Sequence, residues 1–189
     1  MEFYKKEIRL KDGTACILRS PNAQDAEKML EHLRITAGET DFLVRYPEEV
    51  CLTLEEEQKF LNENLASCYH MMIGAFIDGE VAGSAGIGCI GSRRKLRHRA
   101  ELGIAIQRPY WNRGIGGALM QEALEQAKKI GYEQVELGVY AENERAVALY
   151  QKFGFEVWGR TKNAFKLKDG TYHDELLMGR GIVLPSDIS

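Results

Sequence analysis

The sequence feature that most constrains the fold lies between Arg99 and Ile130, where the spacing of apolar residues changes from that of a strand to that of a helix. Apolar side chains first alternate with small or acidic ones, which predicts a strand over residues 99–107. A glycine-rich turn follows, and residues from Gly114 to about Ile130 then form an apolar stripe at helical spacing. A strand that passes through such a turn into a helix presents backbone N–H groups to an anion.

The turn, QRPYWNRGIGGALM over residues 107–120, predicts a phosphate-binding loop. Glycines 114, 116 and 117 allow close approach of the backbone, and the positive end of the helix dipole favours a pyrophosphate. Arg113 would add one charge-assisted contact. Taken alone, the same turn also describes a tight strand-to-helix junction, and it meets neither the Rossmann nor the Walker A pattern.

The rest of the chain predicts an α+β fold. Hairpin turns are expected at Asp12-Gly13, Asp78-Gly79 and Asp169-Gly170, and a capping box at Thr53 and Glu56 predicts the start of a helix. A chain of 189 residues, 44% of them hydrophobic, is expected to form one domain over residues 1–189. We predict a single mixed, mostly antiparallel sheet flanked by helices, with a tail from Gly181 onward.

Composition excludes several classes of function. The formal net charge of -3 gives no global reason to bind nucleic acid or an anionic membrane. The basic run from Arg93 to Arg99 is interpreted as a solvated loop, with nucleic acid or an acidic protein as the alternative partner. No cysteine or histidine cluster has metal-ligand spacing, and the four cysteines are expected to be reduced and buried. The N-terminal residues do not resemble a secretory signal, so we expect a cytoplasmic protein.

Three blocks of sequence resemble a known family. They are WNRGIG at 111–116, VYAENERAVALYQKFGFEVWGR at 139–160 and DGTYHDELLMGR at 169–180. The first is similar to the acetyl-CoA signature Gln/Arg-x-x-Gly-x-Gly/Ala of the GNAT superfamily, the Gcn5-related N-acetyltransferases. The second resembles its Asn-x-x-Ala-x-x-Leu-Tyr-x-x-x-Gly-Phe segment, and the third its terminal hairpin. Trp111 departs from the pattern, which puts one polar phosphate contact in question.

The resemblance implies acetyl-CoA as co-substrate. It also implies that two central parallel strands, over residues 100–107 and 135–140, splay apart so that pantetheine lies between them. The small side of the first strand, at Gly103 and Ala105, agrees with this expectation. The implied cofactor-binding residues are the main chain of Ile104, Ala105 and Ile106, the loop residues Asn112, Arg113, Gly114, Ile115, Gly116 and Gly117, and Asn143. The basic run could also reach the phosphates of coenzyme A.

Two residues are candidates for proton transfer. Tyr150 matches the family position of the general acid, and the alternative is a core tyrosine whose hydroxyl finds a partner. Glu101 is the candidate base, because it lies on the small-residue side of its strand. The alternatives are a rim carboxylate paired with Arg97 or Arg99, a water chain, or His98 as a weaker base.

These residues predict an enzyme that moves acetyl to a primary amine of a small molecule or peptide by direct attack. The loops over 39–52 and 163–172 are the candidates for choosing the acceptor. Glu39, Asp41, Glu48 and Glu49 would suit a cation such as a polyamine. The alternative function is a non-catalytic acyl-CoA sensor. We expect no metal, nucleic-acid or membrane partner, and a homodimer is possible by analogy with the family.

Overall fold

The computed structural model describes residues 1–182, so the predicted tail lies outside the described residues from position 183 onward. The helices are α1 (Ala26–Glu39), α2 (Leu54–Ala66), α3 (Ile115–Ile130) and α4 (Glu144–Lys152). The strands are β1 (Lys6–Arg9), β2 (Ala15–Arg19), β3 (His70–Ile77), β4 (Glu80–Cys89), β5 (Arg99–Ile106), β6 (Gln134–Tyr140), β7 (Glu156–Lys166) and β8 (Tyr172–Gly181). They form one mixed sheet in the order β1-β2-β3-β4-β5-β6-β8-β7, which confirms the predicted fold class.

All three hairpin turns are confirmed. Gly13 has φ 85°, Asp78 and Gly79 have φ 50° and 84°, and Gly170 has φ 87°. Positive φ angles of this kind suit the right-handed twist of the strands that the turn joins, and Asp-Gly adopts them with little strain.

Two helix boundaries follow from local sequence signals. The amide of Glu56 donates to the Thr53 hydroxyl over 3.2 Å, and the Thr53 amide donates to the Glu56 carboxylate over 2.8 Å, which confirms the capping box. The sequence also predicts that Gly38 ends the first helix, and α1 ends one residue later, at Glu39. A Cβ at Gly38 would lie 3.4 Å from Cγ of Pro47, so the end of the helix lies against the loop that follows it.

The chain forms two compact units, and the expectation of a single domain stays a prediction. The first unit contains Met1–Gly88 and Gly103–Ala123, and the second contains Cys89–Leu102 and the described residues from Leu124 to Ile182. The core of the first unit joins α1, α2 and the β3–β4 hairpin through apolar side chains that exclude solvent. These are Ala26, Met29, Leu61, Phe76 and Val81, with Ile17 and Met72 packed against them.

In the second unit, β6 lies between β5 and β8. The parallel register with β5 joins Arg99, Ala100 and Glu101 to Gln134, Val135 and Glu136, whereas the antiparallel register with β8 follows β6 from Gln134 to Tyr140. The predicted parallel pair in a mostly antiparallel sheet is therefore confirmed.

The expectation about the thiols is only partly right. Cys16 is buried, but Cys51 and Cys68 are exposed, because one lies in the loop after α1 and the other in the turn before β3. No helix within residues 1–182 has the length and apolar character needed to cross a bilayer.

Candidate active site

The glycine loop, residues 107–117, connects β5 to α3 in the first unit. A short 3-10 turn over Arg108–Tyr110 is followed by positive φ angles at Asn112 (61°) and Gly114 (103°), which turn the chain into the helix. The amide of Ala118 donates to the carbonyl of Gly114 over 3.1 Å. The N–H groups of residues 115–117 precede this bond, in the first turn, where helical N–H groups have no intrahelical acceptor. They form a site suited to a phosphate.

Three glycines in or beside this loop have open space where a side chain would lie. A Cβ built at Gly103 or at Gly117 would meet no atom within 4 Å, and one at Gly114 would meet only Cγ of Lys11, at 3.8 Å. Gly83 of β4 differs, because a Cβ there would lie 3.1 Å from the carbonyl oxygen of Ala105. The first three positions can therefore admit a ligand, whereas Gly83 permits close approach of two strands.

Trp111 stabilises the glycine loop from within. Its indole Nε1 donates to the carbonyl of Ile106 over 2.6 Å, and the Arg108 guanidinium lies 5.4 Å from its ring centroid. Trp111 thus replaces the polar residue of the family pattern with a bond between the end of β5 and the loop. The carbonyl of Ile106 is already bound, so contacts to a pantetheine amide would depend more on Ile104 and Ala105.

Arg113 joins the glycine loop to the β1–β2 hairpin. Its guanidinium contacts the Asp12 carboxylate at 2.7 Å and the Thr14 hydroxyl at 2.8 Å, and its carbonyl accepts from the Lys11 amide over 3.1 Å. Hydrogen bonds from Thr14, with a smaller effect of Arg113, lower the pKa of Asp12. A phosphate contact from the Arg113 side chain stays a prediction, and the guanidinium would have to be shared with Asp12.

A buried polar network supports the start of the loop. The side-chain amide of Gln107 donates to the carbonyl of Val81 over 2.8 Å and lies 3.3 Å from Nδ1 of His32, whose Nε2 lies 3.1 Å from the Ser84 hydroxyl. Burial lowers the pKa of His32 to about 4, so the ring is neutral at physiological pH. Because the Gln107 amide can only donate to Nδ1, the proton of the neutral ring belongs on Nε2, directed at Ser84.

Two acidic residues, one at the end of α1 and one in the loop that follows it, are bound within the protein. The Glu39 carboxylate accepts from the Arg108 amide over 2.8 Å, and the Glu49 carboxylate accepts from the Tyr46 amide over 2.7 Å. The Arg108 guanidinium also donates to the carbonyl of Glu39. The C-terminal end of α1 is therefore attached to the glycine loop. Of the four acids proposed for a cationic acceptor, Glu39, Glu48 and Glu49 have partners within the protein.

In the second unit, Asn143 and Tyr150 belong to α4. The Asn143 side-chain oxygen accepts from the Ala146 amide over 3.2 Å, so the N-cap role is present and the amide nitrogen stays available for a ligand. Tyr150 lies two turns further along and is only 7% exposed. Burial raises the pKa of its hydroxyl to about 12, which keeps the hydroxyl protonated at neutral pH. Its ring packs against Phe155, with centroids 6.0 Å apart.

Glu101 is exposed on β5, as the alternation of the strand predicts. The arginines proposed as its alternative partners have other contacts. Arg99 pairs with Glu136 through two bonds of 2.5 and 2.6 Å, and Nε of Arg97 donates to the carbonyl of Ser92 over 3.0 Å. The bond from Arg99 lowers the pKa of Glu136. Within residues 1–182 no ion pair involves Glu101, so its carboxylate can accept a proton or a cation.

The remaining candidates carry less chemistry. Arg93, Arg94 and Lys95 are exposed, as expected of a solvated loop. His98 contributes its carbonyl, which accepts from the amides of Glu133 and Gln134. Among residues 1–182, no group of three or more His, Cys, Asp or Glu could hold a metal ion.

Sequence reasoning missed two features that connect distant residues. The first is the His32–Ser84–Gln107 network, and the second is the contact between Gly138 and Glu175 across β6 and β8. A glycine in the middle of a strand is the one signal for the second, because such a glycine often marks a close approach.

The fold and the glycine loop are those of an acetyltransferase, and comparison with known proteins identifies the family. A sequence model of the acetyltransferase (GNAT) family matches residues 30–155, and the chain belongs to this family. An acetyltransferase of the GNAT family from Streptococcus pneumoniae has a similar structure, with a TM-score of 0.85 and 34% identity over 88% of this chain and 99% of that one.

Two further proteins extend the comparison. L-amino acid N-acetyltransferase AaaT of Escherichia coli (strain K12) is 36% identical over 107 residues, which are 56% of this chain and 65% of AaaT. The chain thus spans slightly less than two thirds of the curated relatives that it matches first. The structure of YncA from Salmonella typhimurium with its cofactor acetyl-CoA shares the fold, with a TM-score of 0.78 and 16% identity over 88% of this chain and 93% of YncA.

Proposed function

We propose that the protein is an acetyl-CoA-dependent N-acetyltransferase that acts on a primary amine of a small molecule or peptide. The observation that carries the proposal is the glycine loop of this GNAT-family chain, with N–H groups at the start of α3 and open space beside Gly103, Gly114 and Gly117. A phosphate suits the first feature, and an extended ligand arm suits the second.

The residues that would hold acetyl-CoA are those predicted from the resemblance. The loop residues Asn112 to Gly117 would bind pyrophosphate, mainly through backbone N–H groups, since the Arg113 side chain is paired with Asp12. The backbone of Ile104 and Ala105 would bind pantetheine, and Asn143 would offer its amide N–H. When bound, acetyl-CoA supplies a thioester, whose carbon accepts the amine and whose sulfur leaves as a thiolate.

Tyr150 and Glu101 would move the two protons of the reaction. A nitrogen–carbon bond forms as the carbon–sulfur bond breaks, so one proton must leave the nitrogen and one must reach the sulfur. The Tyr150 hydroxyl, protonated because its pKa is about 12, would supply the second proton. The Glu101 carboxylate, which has no ion pair within residues 1–182, would accept the proton that leaves the nitrogen, directly or through water. Transfer from a thioester needs no metal, and we propose none.

The acceptor class stays broad. The relative AaaT is an L-amino acid N-acetyltransferase by name, which makes amino acids the first acceptors to test. Polyamines lose support because Glu39 and Glu49 are bound within the protein. A homodimer and the absence of nucleic-acid and membrane partners stay predictions. The sensor alternative rested on Trp111, and the bond from Trp111 to Ile106 gives that residue a structural role.

The test is release of thiol from acetyl-CoA by the purified protein, with amino acids, short peptides, polyamines and aminoglycosides as acceptors. We expect turnover with at least one class and its loss in a Tyr150→Phe variant. Tight binding of acetyl-CoA without turnover of any amine would instead support the sensor. Failure to bind acetyl-CoA at all would contradict both functions.

A further inference from the structure

A carboxylate lies over a glycine in the second unit. In the register of β6 and β8, Tyr140 pairs with Glu175 and Gly138 pairs with Leu177. The Glu175 side chain extends along the strands from its own position until its Oε1 lies too close to the place of a Cβ of residue 138 for both atoms to be present. Its Cδ lies 3.1 Å and its Cγ 3.6 Å from that place. Only glycine at position 138 leaves room for this arrangement.

The Glu175 carboxylate has no partner among residues 1–182. The neighbouring Asp174 pairs with Arg160 over 2.6 Å and accepts from the Asn163 amide, but within residues 1–182 no hydrogen bond or ion pair involves the side chain of Glu175. A partly buried carboxylate without a partner is costly unless a ligand or water satisfies it. The carboxylate is therefore open to a water molecule or to a cation from outside the chain.

The surroundings suit an organic cation. Tyr140, directly opposite Glu175, stacks on Phe165 with ring centroids 3.8 Å apart and planes within 8°. Leu177, opposite Gly138, is 45% exposed. Tyr140 is itself buried, so the exposed apolar surface beside the carboxylate is mainly that of Leu177. Such a surface contacts the carbon atoms of an alkylammonium ion better than it contacts a hydrated metal ion.

The same side of the sheet carries Glu101. Residues paired across strands point to the same side, and side chains two apart on one strand do so as well. Glu101 pairs with Glu136, so Glu101, Glu136 and Gly138 share that side, and residues 136 and 138 are about 7 Å apart along β6. The Glu175 carboxylate is thus on the side of the proposed proton acceptor and close to it along the strands.

We propose that Glu175, seated over Gly138, binds the ammonium group of the acceptor amine. A primary amine is mostly protonated at neutral pH, with a pKa of about 8 for an α-amino group and about 10 for a lysine side chain, so it arrives as a cation. Glu175 binds that cation, and Glu101 takes the proton that must leave before attack and passes it to solvent. Glu101 then accepts the second nitrogen proton, which leaves as the nitrogen–carbon bond forms. This inference rests on the proposed function and names the group that selects a cationic acceptor.

The test compares steady-state kinetics of three variants with the best amine from the acceptor panel. Glu175→Gln keeps the shape of the side chain and removes its charge, and we expect KM for the amine to rise by about 10- to 100-fold, the loss typical of a hydrogen bond to a charged group. KM for acetyl-CoA should stay within twofold. Gly138→Ala keeps the charge but displaces it, and should raise the same KM.

Glu156→Gln is the matched control, since Glu156 is an exposed acid on the same β7–β8 hairpin, and we expect wild-type kinetics for it. A Glu175→Gln protein with wild-type KM for the amine would overturn the inference while leaving the acetyltransferase intact. Equal increases of both KM values would also overturn it, because they would indicate a structural role. If the wild-type protein acetylates no amine, the proposed function itself fails.

Discussion

Removal of the titratable ring of His32 should flatten the pH dependence of stability. Burial lowers the pKa of His32 from 6.5 to about 4 in the folded protein, so the unfolded chain takes up a proton at this site where the folded protein does not. The contribution of neutral His32 to the free energy of unfolding is fully present above the unfolded pKa of 6.5 and is lost as pH falls towards about 4. Between about pH 7.5 and about pH 5 the loss is about 2 kcal/mol.

The assay is urea unfolding of wild type and His32→Gln at both pH values. The variant is expected to be less stable at each pH, and the informative quantity is the difference in its pH dependence, which should be smaller by about 2 kcal/mol. Burial raises the pKa of Glu57, which favours the folded state at low pH, but this effect is common to both proteins and cancels. Equal pH dependence of the two proteins would refute the reasoning, as would an NMR titration of His32 with a pKa near 6.5.

Three other substitutions give distinct results. Tyr150→Phe should lower kcat by about 10²- to 10⁴-fold, as expected for a lost proton donor, with little change in melting temperature; full turnover would remove Tyr150 from the mechanism. Trp111→Phe leaves the Ile106 carbonyl without its donor and should cost about 1–3 kcal/mol in urea unfolding; no loss would show that the bond is replaced by water. Gly103→Leu should fold normally, because no atom lies within 4 Å of the added Cβ. It should lower the affinity for acetyl-CoA by more than about tenfold in a calorimetric titration. Unchanged affinity would place the ligand elsewhere.

The fold was predictable where neighbouring residues decide the structure. Asp78-Gly79 requires positive φ angles, Thr53 and Glu56 cap one another across a single turn, and the stripe beginning at Ile115 has a helical period. Each of these signals is local, so the sequence contains all of its parts. The parallel pairing of β5 with β6 is not local, and it came from the resemblance to a family.

The site was predictable in its residue types and less so in their contacts. Asn143 is the N-cap of α4 and Tyr150 is buried two turns later, in the positions expected from the motif. The commitment of Arg113 to Asp12 was not foreseen, nor was the bond between Trp111 and Ile106. A side chain chooses among partners that folding brings together, and no spacing along the chain reveals which partner that will be.

The ion pair between Arg113 and Asp12 bears on how the glycine loop acquires its shape. Its two residues are 101 positions apart in the chain, so a long loop must close before the pair forms. Closing that loop costs conformational entropy, so the pair depends on the rest of the fold to bring the β1–β2 hairpin and the glycine loop together. A peptide cut from residues 107–120 would keep the glycines but not this support. The shape of a loop in the middle of the chain thus depends on a residue of its first hairpin, and we expect acetyl-CoA to bind the whole protein but not the isolated loop peptide.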